Sequence, residues 1–392
     1  MVNFTILSGG FSAFIATYVF DSDTSTLTLL KQNPTGQNPS WIASHQQNTS
    51  ILYAVNEVSP VGSLQSFTVD QDGGLTLVDT VTSGGSGPTF TNLLSTGEVS
   101  AMNFGSPNSS FVATIPDDPI HFARDSPVVD FPVGDGPSNP HMSLEFNGEV
   151  FVPDLGADKI WRLVNDGVPG KFKVQGQIDQ DAGSGPRHIA IQDNILFTIH
   201  EKTSTLTAQA IPSAPNGTTL PLIANVSIVP SDVTFNGSFF GAEILISEPT
   251  EKFPDPLIYV SNRNLGPEFD ERGDTIAIFE FKNANPCTTV FGYAGSTTTV
   301  CPPERREHTR QWTRQESNFT GSLTLLAQVF TGLKQIRSMS LGRVVDGGDE
   351  FLIAGANVDG GVVVLRRIDG GRNLTLVTRN EEVANRTSFV FI

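Results

Sequence analysis

The chain has 392 residues, enough for two average domains or for one large ring of repeats, so length alone excludes little. Lys and Arg number 24 against 41 Asp and Glu, a net charge of -17 with a pI near 4.7, which repels phosphate backbones and anionic lipid and excludes nucleic acid and membrane surfaces as partners. No apolar run approaches the ~18 residues that span a bilayer, and MVNFTILSGG lacks a charged stretch followed by an apolar core, so no export signal is visible.

Apolar residues alternate, or run in short groups bounded by Gly, Asn, Asp and Pro, and almost nowhere recur at helical spacing; the chain reads as all-β. One unit recurs along it: a short strand, a polar turn, a second strand and a hairpin turn. In chain order the units are ILSGGFSAFIATYVFDSDTSTLTLL from Ile6, ILYAVNEVSPVGSLQSFTVDQDGGLTLV from Ile51, VSAMNFGSPNSSFVATI from Val99 and VFVPDLGADKIWRLV from Val150. Then come ILFTIHEKTSTLTAQAI from Ile195, LIYVSNRNLGPEFDERGDTIAIFEF from Leu257 and FLIAGANVDGGVVVLRRIDGGRNLTLV from Phe351. Their central turns fall near residues 10, 56, 103, 154, 200, 262 and 357, a spacing of about 46 to 62 until the last interval, which contains an insertion over 283–318.

A four-strand repeat near 45 residues is the mark of a β-propeller blade, which cannot bury both faces alone and must stack beside its neighbours. The expectation is therefore one domain over 1–392: seven four-stranded antiparallel blades around an axial channel, with RTSFVFI near the C-terminus pairing with the N-terminal strand to close the ring. The alternative, two β-sandwiches, would not generate seven like units.

A second mark precedes several units, a proline at the entry of a strand: NPSWIA from Asn38, GPTFTN from Gly87, NPHMSL from Asn139 and GPRHIA from Gly185, with KQIRSMSL from Lys334 as a weaker fifth. The innermost strand of a blade lines the channel, and the turn after the next strand returns to the same end, so both marks converge on one mouth. In NPSWIA and GPTFTN the proline reads as fixing strand entry only. The entries supply His141, Arg187, His188 and Arg337; the turns supply Glu57, Asp154, Glu201, Asn262 and Arg263. Charged groups of both signs at channel-facing strand ends imply a polar pocket.

Each candidate also has a structural reading. Asp154 in PDLGAD can bond its own turn. Glu57 can pair with Arg337 or Asn56, and Arg187 and Arg263 can form inter-blade ion pairs. His188 is expected to face away from Arg187 by strand alternation. His141 and Glu201 are the acid and base candidates, because imidazole titrates near neutrality and a carboxylate beside arginines stays ionised. His45, His121, His200 and His308 have no supporting context. Histidine spacings typical of metal sites are absent, so no metal or other cofactor is expected.

Nine N-x-[ST] sequons begin at Asn3, Asn48, Asn108, Asn216, Asn225, Asn236, Asn318, Asn373 and Asn385, and the only cysteines, Cys287 and Cys301, bracket a Thr/Gly-rich loop suited to a local disulfide. Together they point to a secreted glycoprotein, with Met1 standing in place of a removed leader; a cytoplasmic protein with two unrelated thiols is the alternative.

The stretches PSW…LYAVNEV, MNFGS, NPHMSLEF…VFVPDLGADKI, GSGPRHIAI…HEKTSTL and IYVSNR…DTIAIFEF together resemble the seven-bladed propeller lactonase family, which contains 6-phosphogluconolactonases and fungal 3-carboxy-cis,cis-muconate cyclases. The resemblance implies catalytic roles for His141, Arg187, Glu201 and Arg263. The chain departs from it in three ways: Ser143 stands where many members carry a second histidine, two hairpins are shorter, and the 283–318 insertion is uncommon. Three functions follow from this resemblance and the ionisable set. The first is a monomeric hydrolase opening an aldono-1,5-lactone, with Glu201 or His141 activating water and Arg187 and Arg263 holding the oxyanion. The second is a muconate cyclase that clamps carboxylates with the same arginines. The third is a propeller that binds a glycan or a protein without catalysis.

Overall fold

The structure, a computed structural model, describes residues 3–283 except 214, 216 and 234–236, the paired backbones of Thr288–Phe291 and Thr297–Val300, and residues 320–392. Each sequence repeat forms an antiparallel meander, and the described residues make seven such sheets. From the first blade to the seventh, the innermost strands are Arg386–Phe391, Ile42–His45, Pro88–Phe90, Leu144–Phe146, Pro186–Gln192, Phe239–Ile246 and Lys334–Leu341. The strands next to them are Asn3–Gly10, Asn48–Asn56, Glu98–Asn103, Glu149–Asp154, Ile195–His200, Ile258–Asn264 and Phe351–Asp359. A pair of sandwiches is thereby rejected.

The burial pattern explains the apolar runs. A second strand lies between two neighbouring blades and is covered on both faces: Ile195–His200 and Ile258–Asn264 are buried at every position. An outermost strand such as Leu75–Thr82 has one face in water and alternates. Adjacent residues of a second strand feed different cores, because side chains on a strand alternate: Val150 and Val152 pack toward Phe111 of the third blade, while Phe151 packs toward Ile189 and Leu196 of the fifth. Among the described residues seven apolar clusters result, one at each blade interface, and none of these is central.

Ring closure follows the expectation from RTSFVFI. Phe391 pairs with Ile6 and Phe389 with Ser8, so the C-terminal strand becomes the inner strand of the first blade. Arg386, fully buried, ties the seam by donating to Ala384 O at 3.0 Å and to Ser12 Oγ at 2.7 Å. In the sixth blade Asn283 pairs with Gly321, so the segment between them leaves and rejoins the sheet at one hairpin position.

The inner strands of the third, fifth, sixth and seventh blades carry a local irregularity at one end. Register shifts bracket Thr89, Arg187, Ala242 and Glu243, and Gln335 and Arg337. A bulge leaves a residue unpaired and re-aims its side chain. This is the end of the ring on which the candidate residues lie.

Candidate active site

The GSGP entry is built by its glycines and by one carboxylate. Gly183 and Gly185 both adopt positive φ, 78° and 67°, and their N–H groups donate to the two oxygens of Asp158 at 2.7 and 2.9 Å. Gly185 O then accepts the N–H of Glu201 at 2.7 Å, which fixes the turn after the next strand against the entry of the first. Arg187 and Glu201 are thus held together by backbone before their side chains meet.

Glu201 Oε2 receives two guanidinium groups: Arg263 Nη2 donates to it at 2.5 Å, and Arg187 Nε lies 2.9 Å away as an ion pair without hydrogen-bond alignment. Burial alone would raise the Glu201 pKa, but Arg263, Arg187 and Arg337 outweigh it and hold the carboxyl below its usual range. The arginines carry the converse strain. Burial, then Arg263, pushes the Arg187 guanidinium downward, with Glu201 countering, and burial also lowers Arg263. Arg187 donates a hydrogen bond to Ala242 O, yet among the described residues its Nη2 is buried without a partner, as are Nε of Arg263 and Nε of Arg337. Arg337 reaches from the seventh blade to Glu57 at the end of the second, Nη2 to Oε2 3.3 Å, and lies over the Phe11 ring.

Beside the arginines runs a line of three groups from three blades. His141 Nδ1 is 3.1 Å from His188 Nε2, and His188 Nδ1 is 2.7 Å from Glu243 Oε1. His188 is fully buried, its ring edge-on to Trp41 at 5.1 Å and Phe90 at 5.8 Å, while Phe104 meets His141 at 5.6 Å. Burial comes first in lowering the His141 pKa well below 6.5, followed by Arg187, His188, Arg337 and Arg263, so its ring is neutral at pH 7 and lies within the field of all three arginines.

Several expectations change. Arg187 and His188 do not face apart: the bulge at Arg187 breaks the alternation, and both side chains are fully buried within the cluster. Asp154 takes its structural reading. Its carboxylate is buried and accepts from Ser138 Oγ, Trp161 Nε1 and the N–H groups of Asn139, Gly156 and Ala157, which leaves it committed to the turn. Asn262 is likewise spent, its amide exchanging bonds with the Thr275 hydroxyl and N–H at 2.8 and 3.2 Å. NPSWIA and GPTFTN do more than fix strand entry, since they deliver Trp41 and Phe90 to His188. Glu243, in FFGAEILIS, was missed because the sixth blade has no proline entry mark; a carboxylate inside an otherwise apolar strand was the available signal.

Among the described sequons, Asn3, Asn48 and Asn225 are exposed, whereas Asn108, Asn373 and Asn385 are half-buried. Cys287, Cys301, Asn216, Asn236 and Asn318 lie outside the described residues. Among the described residues no group of three or more His, Cys, Asp or Glu is placed to hold a metal ion. A separate cleft of about 450 Å³, lined by Asp179, Asp181, His200 and Thr207 among others, contains none of the clustered arginines.

The arrangement can bind an anion and move a proton: three guanidinium groups, one carboxylate pinning two of them, and a neutral imidazole within their field. The profile of the family described as "Lactonase, 7-bladed beta-propeller" matches residues 3–299. A curated relative from Arthroderma benhamiae, named "Probable 6-phosphogluconolactonase", is 27% identical over 265 residues, and the match spans 64% of this chain and 64% of the relative. In fold the chain is similar to a periplasmic gluconolactonase of Pseudomonas aeruginosa, with TM-score 0.73 and 17% identity, covering 100% of this chain and 99% of that one. It is also similar to a protein from Lactobacillus plantarum, with TM-score 0.74 and 19% identity, covering 100% and 99%. The chain belongs to the lactonase family of seven-bladed β-propellers.

Proposed function

We propose that the chain hydrolyses a sugar lactone of the aldono-1,5-lactone class at the cluster of Arg187, Arg263, Arg337 and His141. The observation that carries this reading is the convergence of three guanidinium groups, Arg187, Arg263 and Arg337 from three successive blades, around the Glu201 carboxylate and beside a neutral imidazole. The guanidinium groups repel one another, and an anionic oxygen beside the cluster would offset that repulsion. The family and the names of its relatives support a lactone as that oxygen's source.

In this reading water attacks the lactone carbonyl carbon as His141 Nε2 takes its proton. The carbonyl oxygen becomes an oxyanion facing the arginines. As the tetrahedral intermediate collapses, the bond from the carbonyl carbon to the ring oxygen breaks, and the ring oxygen takes the proton back from His141, leaving an open hydroxy acid. Burial and, after it, the arginines keep His141 neutral at rest; the growing oxyanion offsets the arginines, so the imidazole gains basicity as it is needed. Glu201 is the weaker base, because its carboxyl is held low by the guanidinium groups it anchors. It serves to align Arg187 and Arg263.

Assay of a panel of aldonolactones above their spontaneous opening rate tests the reading; no acceleration of any would overturn it. A second reading, cyclisation of a carboxymuconate, is favoured by the same three guanidinium groups, whose positive charge suits carboxylates. Loss of muconate ultraviolet absorbance distinguishes it. Export as a monomeric glycoprotein belongs to this proposal too, and mass spectrometry of the native protein with no glycan at Asn48 or Asn225 would count against it.

A further inference from the structure

We infer that Glu243 and His188 fix the tautomer of His141, leaving Nε2 of that ring as a bare acceptor at the arginine cluster, and that Glu243 is thereby a positioning residue for proton transfer. The role in catalysis rests on the lactone reading above; the tautomer does not.

The chain of donors is determined from its far end. Glu243 Oε1 accepts the N–H of Ile244 at 3.1 Å and lies 2.7 Å from His188 Nδ1. A carboxylate oxygen has no proton to give, so His188 Nδ1 donates. A neutral imidazole carries a single N–H, which makes His188 Nε2 an acceptor. The atom 3.1 Å from it, His141 Nδ1, must then be the donor. The one proton of the neutral His141 ring is thereby placed, and Nε2 is left with its lone pair. That nitrogen makes no hydrogen bond among the described residues, and it is not one of the fully occluded polar atoms.

Three blades contribute one group each, Glu243 from the sixth, His188 from the fifth and His141 from the entry of the fourth, so the line is held by the ring itself. Trp41 and Phe90 pack edge-on against His188 and keep water from competing for its nitrogens. Glu243 Oε2 is buried and has no hydrogen-bond partner. When His141 takes a proton at Nε2, the imidazolium strengthens its Nδ1–H bond to His188, whose other nitrogen faces the carboxylate. When the proton leaves, the chain returns to its starting state with no net transfer.

Long-range ¹H–¹⁵N spectra of histidine-labelled protein at pH 7 read the tautomers directly, with signals assigned by His141→Gln and His188→Gln. Both rings are expected as Nδ1–H tautomers, and a proton on His141 Nε2 would overturn the inference whether or not any lactone is turned over. Glu243→Gln can keep an oxygen at the Oε1 position while removing the charge; with the best lactone, kcat is expected to fall roughly 10²-fold with KM unchanged and tautomers retained. Glu243→Met removes the acceptor, and the tautomer bias should be lost. Retained bias in that variant, or an unchanged kcat in Glu243→Gln, contradicts the positioning role. Failure of the lactone reading alone appears differently, as no turnover by the wild type alongside the expected tautomers.

Discussion

Trp41 and His188 come from the second and fifth blades, on opposite walls of the ring, yet their rings meet edge to face with centroids 5.1 Å apart. The channel is therefore closed by aromatic packing beside the polar cluster. Burial is the first cause of the lowered pKa of His188 and of its partner His141, and this packing helps to supply it. Trp41→Ala should admit water and raise both values toward the ordinary ~6.5. Arg187, Arg337, Arg263 and His188 still hold His141 down, so its rise is partial, whereas Glu243 adds to the rise at His188. Wild-type activity is expected to be nearly flat from pH 8 to 6; the variant should lose activity over that interval. Superimposable pH–rate profiles would contradict the account.

Glu201 is the counter-charge shared by Arg187 and Arg263. Glu201→Gln leaves two buried guanidinium groups facing a neutral amide, and removing one member of a buried ionic cluster costs about 3–5 kcal/mol. Chemical denaturation should show a loss of that size, and KM for lactone should rise because the arginines are no longer aligned. A variant as stable as the wild type would mean that the cluster is more hydrated than its burial implies.

Asp154 tests the opposite assignment. Asp154→Ala strips acceptors from Trp161 Nε1 and from three backbone N–H groups, so unfolding free energy should fall by roughly 3 kcal/mol or more. KM of the protein that remains folded should be unchanged. A raised KM without lost stability would return Asp154 to the substrate site.

Acid should weaken the fold. His141, His188 and His200 all have folded pKa values below that of an unfolded histidine, His200 at about 4, owing mainly to burial. Between the folded and unfolded values the unfolded chain binds more protons, so stability rises with pH and is lost as pH falls from ~6.5 toward 4. Glu201, whose pKa is depressed, acts in the same direction below the unfolded carboxylate range. Asp274, raised to about 6 by burial, opposes them: its contribution favours the fold at acid pH and is lost as pH rises through 6. Three histidines against one aspartate predicts a net decline on acidification, and Asp274→Asn should steepen it. Denaturation midpoints at pH 7, 6, 5 and 4 measure both.

The ring was legible because every unit must present two apolar faces to its neighbours, and that requirement is written as repeated buried runs such as ILFTIH and IYVSNR. Arg187, Glu201 and Arg263 were legible for the same reason: repeat symmetry placed them at one mouth. What periodicity could not reveal was the effect of the bulges. Alternation put His188 on the wrong side of Arg187, and it gave no reason to look at Glu243, whose side chain matters only because the irregularity from Gly241 to Ile244 brings it to His188. For Asp154 and Asn262 the sequence could not choose, since turn residues that bond their own backbone look the same in sequence as residues that await a ligand.

The central claim is that the arginine cluster and His141 open a lactone. The most direct measurement is pH-stat titration of acid released from a panel of aldonolactones at pH 7, comparing wild type with His141→Gln and subtracting the spontaneous rate. The account predicts turnover by the wild type and a loss of roughly 10²–10⁴-fold in kcat for the variant. Equal rates for the two proteins, or no wild-type rate above the spontaneous one with any lactone, would contradict it.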